Sequence, residues 1–514
     1  MRRFRIFLAV AATLAATSAA CTALLDHADS QCSTDGDCAQ FPGAVCRGSF
    51  CVAGDVAPLD GGGFDGCFAG TPQTNSDFVN ACTSAQCIPF DNCATLGLCG
   101  PDAGFLPATT PPVSEAGAAT TSDAGVIPVS CFDPVERPNV IYVTGSSNFP
   151  EFLQPLAPIL ASNNPPYTIV WQVSNSCTGV DAAFNTNAAN RMISDSPGKA
   201  TVYYDSSGNT VACSLGASVP VDVGESDIFA SSCASKLGYT PDPVNGGAGS
   251  GVGEYVGPIQ AMAYVVPGAS SQRAISAEAA SAVFGHGGAP TTTSSPLPWS
   301  DPTQYFVRSS STGTNQILSR AMNVAPGGWW GVDKSTAANM DLQLKEVPSN
   351  LSEQTIGVLA TDLADTDRGD LKVLAFQAAG QKCAFWPDST PTATNKRNVR
   401  DGHYTPWGPL HFYTQLSGGA PTAAAGAFVL RFSQSRLDTA LLQAIIKSNN
   451  IPQCAMQVTR QSEMSDIEPY APPISCGCFF DQQTSGQTSC TPCTSAAQCP
   501  SAAPACNYGF CEAQ

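Results

Sequence analysis

"VRSSSTGTNQILSRAMN", Val307 to Asn323, closes a short apolar run, "QYFV", and stops it at an arginine. Small hydroxyl residues and one glycine follow, and helical spacing then begins at Ile317, Leu318, Ala321 and Met322. A strand that feeds a helix through a short polar loop is the repeating unit of an α/β fold. The placement of a cation and a row of small donors at such a junction also marks a candidate binding loop.

Outward from this stretch, the same texture recurs from about residue 138. Strand-length apolar runs are "NVIYVTG", "YTIVWQV", "VPVDVG", "QAMAYVVP" and "TIGVLA". Helical patterns such as "SAEAASAVF" and "LDTALLQAIIKS" alternate with them, which predicts parallel or mixed sheets. "PEFLQPLAPIL" reads as a poor helix, because Pro155 and Pro158 would interrupt its interior. Four loops after strands are rich in hydroxyls and glycine: "TGSSNFP", "SNSCTGV", "GESD" and "RSSSTGT". In an open α/β sheet, ligands sit beyond the carboxyl ends of the strands, where these loops lie.

The flanks differ. Residues 1–20 combine a cationic start, "MRRFR", with the apolar "IFLAVAATLAA" and a small-residue cleavage site before Cys21, which is the pattern of a signal peptide. "SAAC" resembles a bacterial lipobox with Ser18 in place of the usual leucine, so Cys21 is expected to carry lipid. Twenty-three cysteines are odd, and setting Cys21 aside leaves an even set for disulfides in an oxidising compartment. About 500 residues then remain, room for roughly three domains. A net charge of -18 excludes a nucleic-acid partner, which needs clustered Lys and Arg, and leaves a lipid anchor as the expected membrane contact.

The expected organisation is a Cys-rich module over 21–99, a Pro/Ala/Thr/Ser linker over 100–137, a core over 138–467 and a Cys-rich module over 468–514. Cys32, Cys38, Cys46 and Cys51 are separated by five, seven and four residues, and Cys493, Cys499, Cys506 and Cys511 by five, six and four, an internal repeat. Cys490 and Cys493 have zinc-like spacing, but an exported chain favours disulfides, and no metal or cofactor is expected. Nine cysteines over 32–99, six in the core and seven in the tail require at least one bridge to leave each end block if all pair. Cys383 with Cys454 is the expected bridge within the core.

Enzyme signatures are lacking. "GGAGSGVGEY" has neither phosphate-loop nor dinucleotide spacing, no serine sits in G-x-S-x-G, and His403 and His411 are not at metal spacing. The order "TGSSNFP", "VDVGESD", "VVPG", "SAVFGHGG", "VRSSSTGT" and "TIGVLA" instead resembles periplasmic phosphate-binding proteins of ABC transporters. The resemblance implies a two-lobed, type II periplasmic-binding-protein-like α/β core with an anion clamped between lobes. Lobe I would be 138–265 and 405–467, and lobe II 266–404.

Carried over by residue, Asn148 and Phe149 fall in the first anion loop, Ser176 in the second, and Asp227 at the family's carboxylate. Arg308, Thr312, Gly313 and Thr314 match its Arg-x-x-x-Ser-Gly-Thr loop with Thr for Ser. This chain has Ser310 where the family has an aspartate, a first loop one residue shorter, and a long insertion between Ser176 and Asp227. The implied partners are inorganic phosphate or a related oxyanion and an ABC permease. The expected location is the lipid-anchored face of a Gram-negative cell envelope. The competing expectation is a cell-surface interaction protein that kept the fold and lost or changed the ligand.

Overall fold

All six apolar runs from the sequence form strands in the computed structural model of the protein, which describes residues 44–47, 50–53, 66–96, 128–197, 199–243, 251–288 and 298–513. Cys21, residues 1–20 and most of the expected linker lie outside the described residues. The core strands are β1 (Val140–Gly145), β2 (Thr168–Val173), β3 (Val223–Ser226), β4 (Val252–Pro267), β5 (Tyr305–Val307), β6 (Val332–Asp333), β7 (Ile356–Ala360) and β8 (Trp407–Ser417). The helices that matter here are α1 (Pro150–Ala161), α2 (Ser176–Phe184), α3 (Gly313–Ala321) and α4 (Ala337–Lys345).

Strand order shows two lobes built alike. In the first, β2-β1-β3 are parallel and β8 closes them antiparallel. In the second, β6-β5-β7 are parallel and β4 closes them antiparallel. The long strands β4 and β8 pair with each other, and the chain crosses into the second lobe along β4 and returns along β8. The register shifts between Val256 and Ile259, around Gly257 and Pro258, before β4 continues to its second-lobe neighbour β7. The fold is therefore mixed α/β with two lobes. β7 is buried at all five positions, which explains why its sequence is an unbroken apolar run without alternation.

The expected interruption of "PEFLQPLAPIL" does not occur. Pro150 opens α1, where a missing N–H costs nothing, and the helix runs on through Pro155 and Pro158. Each interior proline costs about 3 kcal/mol. Four buried side chains on one face, Phe152, Leu153, Leu156 and Leu160, each return about 1.5–3 kcal/mol, so packing wins.

Three glycines let α2 lie directly on the strand ends. A Cβ on Gly179 would meet the Glu225 carbonyl oxygen at 1.9 Å, and Gly145 and Gly224 take part in the same close approach. This contact fixes where α2 begins, and hence where Ser176 sits.

Residues 66–96 and the tail pack in the same compact unit as the core, which spans Gly61–Gln514. In the other unit, Met1–Asp60, the strands Ala44–Arg47 and Phe50–Ala53 form a hairpin with Cys46 opposite Cys51. The tail hairpin Ala505–Asn507 with Phe510–Glu512 places Cys506 opposite Cys511 in the same way, so the last two cysteines of each repeat sit in matching hairpins.

The expected Cys383–Cys454 bridge is corrected. Cys383 pairs with Cys87, because strand Cys87–Ile88 runs antiparallel to Ala384–Phe385 with Cys87 opposite Phe385, which leaves the two cysteines with their Cα atoms 5.7 Å apart. Cys454 pairs with Cys476, whose N–H donates to the Cys454 carbonyl at 2.9 Å. Among the described residues, each end block thus sends one bridge to the core. Cys490 and Cys493 belong to separate disulfides, with Cys478 and Cys506. Among the described residues no helix is long and apolar enough to cross a membrane.

Candidate functional site

In each lobe the strand order reverses direction beside the first strand, between β1 and β3 and between β5 and β7, and the crevice there is where an α/β sheet places a ligand. The loop Ser146–Asn148 and Asp227 occupy the first crevice. Arg308 to Thr312 and Asp362 occupy the second. The two crevices meet.

The meeting is made by helix starts. Asn175, Thr312 and Thr336 cap α2, α3 and α4 by accepting N–H groups from their first turns. The N–H of Gly313 donates to Ser176 Oγ at 2.9 Å, joining α3 to α2. Asn148 Nδ2, just before α1, donates to Thr314 Oγ1 at 3.0 Å. Ser147 Oγ accepts from Arg308 Nη2 at 2.8 Å and from the N–H of Ala337, at the start of α4, at 3.2 Å. Four helix N-termini therefore converge on one spot, each carrying roughly half a positive charge.

Arg308 is the full cation at that spot. It is 2 % exposed, and its Nε and Nη1 have no acceptor in the protein. Burial lowers its pKa to about 10, opposed by Asp333 and Asp227, so it stays charged at neutral pH.

Against it stands a pair of buried carboxyls. Asp227 Oδ2 accepts from Ser146 Oγ at 2.6 Å and from Asn148 Nδ2 at 2.9 Å, while Oδ1 receives no donor from N–H or hydroxyl groups. Glu225 Oε2 accepts the Ser146 N–H at 2.6 Å. Burial, and then the neighbouring Asp227, pushes Glu225 well up. Burial also raises Asp227, but hydrogen bonds from Ser146, Glu225 and Asn148 pull it back. Both carboxyls are therefore biased toward their protonated forms, Glu225 the more strongly. Asp362, in the first turn of the helix Thr361–Thr366 that follows β7, is pushed up to about 8 by burial and by Glu151, and is neutral at pH 7.

Of the residues singled out in the sequence, Asn148, Ser176, Asp227, Arg308, Gly313 and Thr314 come together here. Thr312 is present as the cap of α3, and its hydroxyl donates to the Ser309 carbonyl at 2.9 Å. Phe149 does not bring its ring: that lies in the core, 5.6 Å from Trp171 and 5.5 Å from Phe412, and its N–H donates to the Ser146 carbonyl. Sequence reasoning missed Ser147, Glu225 and Asp362. Glu225 lies inside the quoted "GESD", and its signal is an ionisable residue at the carboxyl end of a strand. His403 is tied at both ring nitrogens, to Asp401 at 2.7 Å and the Ala81 carbonyl at 2.8 Å.

No family model matches this chain, and no curated protein matches it. Solved structures do. An ABC-type phosphate transport receptor from Vibrio cholerae is 11 % identical, with a TM-score of 0.37 over 61 % of this chain and 100 % of its own. A phosphate-binding protein from Stenotrophomonas maltophilia is 14 % identical, with a TM-score of 0.37 over 61 % and 90 %. A protein from Clostridium perfringens, assigned as a phosphate ABC transporter substrate-binding protein and holding phosphate, is 12 % identical, with a TM-score of 0.42 over 61 % and 99 %. The two-lobed assignment itself rests on the strand order of β1 to β8.

Proposed function

We propose that this protein is an exported solute-binding protein that captures phosphate, or a similar tetrahedral oxyanion, between its two lobes. The observation that carries the reading is Arg308, a buried guanidinium with two nitrogens left over at the convergence of four helix N-termini. A buried cation with spare donors is costly without an anion. A guanidinium suits an oxyanion, because its planar fork can meet two oxygens at once. The Gly313 N–H and Thr314 Oγ1, which pair across the lobes, would exchange those partners for ligand oxygens. Asp227 Oδ1 would accept the proton that phosphate retains near neutral pH and sulfate lacks. With a net charge of -18, attraction at long range is absent and capture rests on these local donors. Export and lipid attachment at Cys21 belong to the same reading, supported by the leader pattern and the disulfides.

One observation favours a second reading. Glu225 and Asp227 already take the N–H and hydroxyl of Ser146, so the protein's own carboxyls fill part of the anion loop. A surface protein that kept the fold and changed its ligand would show this. Calorimetric titration of the purified protein with phosphate, arsenate and sulfate separates the two. Phosphate and arsenate binding with sulfate weaker supports capture, whereas no binding of any of the three would leave only the surface-protein reading.

A further inference from the structure

A second cavity, of about 230 Å³, lies apart from the cleft, lined among others by Phe229, Trp407, His411, Met456, Arg460 and Tyr470. None of the cleft residues lines it. Three residues that line it each carry a buried nitrogen with no hydrogen-bond partner: Arg460 Nε, Trp407 Nε1 and His411 Nε2. Arginine and the indole N–H can only donate, so two of the three ask for an acceptor.

Arg460 is 5 % exposed and lies over the Trp407 ring at 4.0 Å. Its Nη1 donates to the Trp407 carbonyl at 3.2 Å, which holds the guanidinium in place without neutralising it. Glu463, whose charge acts on Arg460 without an ion pair to it, accepts from the Phe229 N–H and the Ser232 hydroxyl. His411 is fixed from its far side, with Nδ1 2.7 Å from Glu254 Oε1 and its ring against Phe229 at 4.4 Å. Ile259, Pro409, Met456 and Val458 supply apolar wall, and Gln453, Thr459 and Gln461 supply polar wall.

We propose that this cavity binds a small organic anion, a carboxylate on a short aliphatic or aromatic body, with Arg460 and the Trp407 indole N–H as its donors. A cation fixed beside apolar wall selects a molecule that joins a charged group to an apolar body. The chamber exceeds the ~150 Å³ that holds a benzene. The proposal does not rest on the phosphate reading, because it uses different residues.

The test uses the whole mature protein and two probes, benzoate and butyrate, with benzyl alcohol as the uncharged comparison, followed by calorimetry and ligand-observed NMR. Benzoate is expected to bind about tenfold or more tighter than benzyl alcohol. Val256 lines the cavity and is 37 % exposed, so Val256→Trp can obstruct the chamber without disturbing the core. That variant should melt like the wild type and bind benzoate at least about tenfold more weakly, as should Arg460→Gln. Three results would each overturn the proposal: no binding of either carboxylate up to about 10 mM, benzyl alcohol binding as tightly as benzoate, or Val256→Trp binding benzoate like the wild type. The first would mean that the three nitrogens are served by water alone.

Discussion

Gly313 stands so close to Asp227 that a Cβ added to it would lie 2.4 Å from the Asp227 Cβ. The same glycine gives its N–H to Ser176 Oγ, so the junction of the lobes has no room for a side chain there. Gly313→Ala should push α3 away from Asp227. An overpacked site of this kind costs about 1–3 kcal/mol. Thermal denaturation should show the loss, and phosphate titration should show weaker binding. Unchanged stability and affinity would mean that the lobes meet more loosely than described.

Arg308→Ala removes the cation from the convergence of helix starts. Charge-assisted hydrogen bonds are worth about 1.5–3 kcal/mol each, so losing two should weaken phosphate by roughly a hundredfold or more. Phosphate binding equal to that of the wild type, measured by calorimetry, would reduce "RSSSTGT" to a turn.

Asp227→Asn changes selectivity rather than charge attraction alone. Its amide can donate where the carboxylate could only accept, so phosphate should weaken while sulfate gains relative to phosphate. A parallel loss for both anions would assign Asp227 a purely structural part, as the acceptor for Ser146 and Asn148.

Asp362 sets a pH dependence whose sign can be worked out. Its carboxyl is pushed up to about 8 when folded, against an ordinary value of 3.8. The folded protein therefore holds a proton that the unfolded chain releases, and stability falls as pH rises from about 4 to about 8. One such group contributes a slope approaching about 1.4 kcal/mol per pH unit. Asp362→Asn should flatten the dependence by that amount. The substitution also offers a donor to Gln260 Oε1, which has no partner. Denaturation midpoints of both proteins across this range check it; parallel curves would show that Asp362 is charged when folded.

Cys21→Ser tests the anchor. If Cys21 carries acyl chains, the wild type should sediment with membranes and the variant should appear in the soluble fraction, since each buried methylene contributes about 0.8 kcal/mol. A soluble wild type with a free thiol at Cys21 ends that reading.

Much of this was legible in the residues themselves. Arg308 and Asp227 could be found because each follows an apolar run that could only be a strand, and strand ends are where ligands gather. Glu225 was harder, because it lies within the strand β3 and nothing local says that a glutamate there is fully buried. The helix through Pro155 and Pro158 was misread because local propensity weighs the prolines, while the four apolar side chains that outweigh them count only against a packed partner. Cys383 was misassigned for a related reason. Its neighbour is decided by the pairing of Ala384–Phe385 with Cys87–Ile88, a contact between distant parts of the chain that no spacing of cysteines encodes.

That last pairing also bears on how the protein can be made. If the chain is exported N-terminus first into an oxidising compartment, as proposed, Cys87 arrives 296 residues before Cys383. Cys93, Cys99, Cys131, Cys177, Cys213 and Cys233 all arrive in between, each able to capture it by thiol–disulfide exchange. Cys131 with Cys213 and Cys177 with Cys233 can close earlier, over 82 and 56 residues. Cys87 cannot, and the strand it belongs to waits just as long for its neighbour. Maturation is therefore a matter of timing: the early thiol must be shielded or its wrong bonds reshuffled until the second lobe has crossed, which makes the host's disulfide-isomerising capacity a determinant of how much correctly linked protein accumulates.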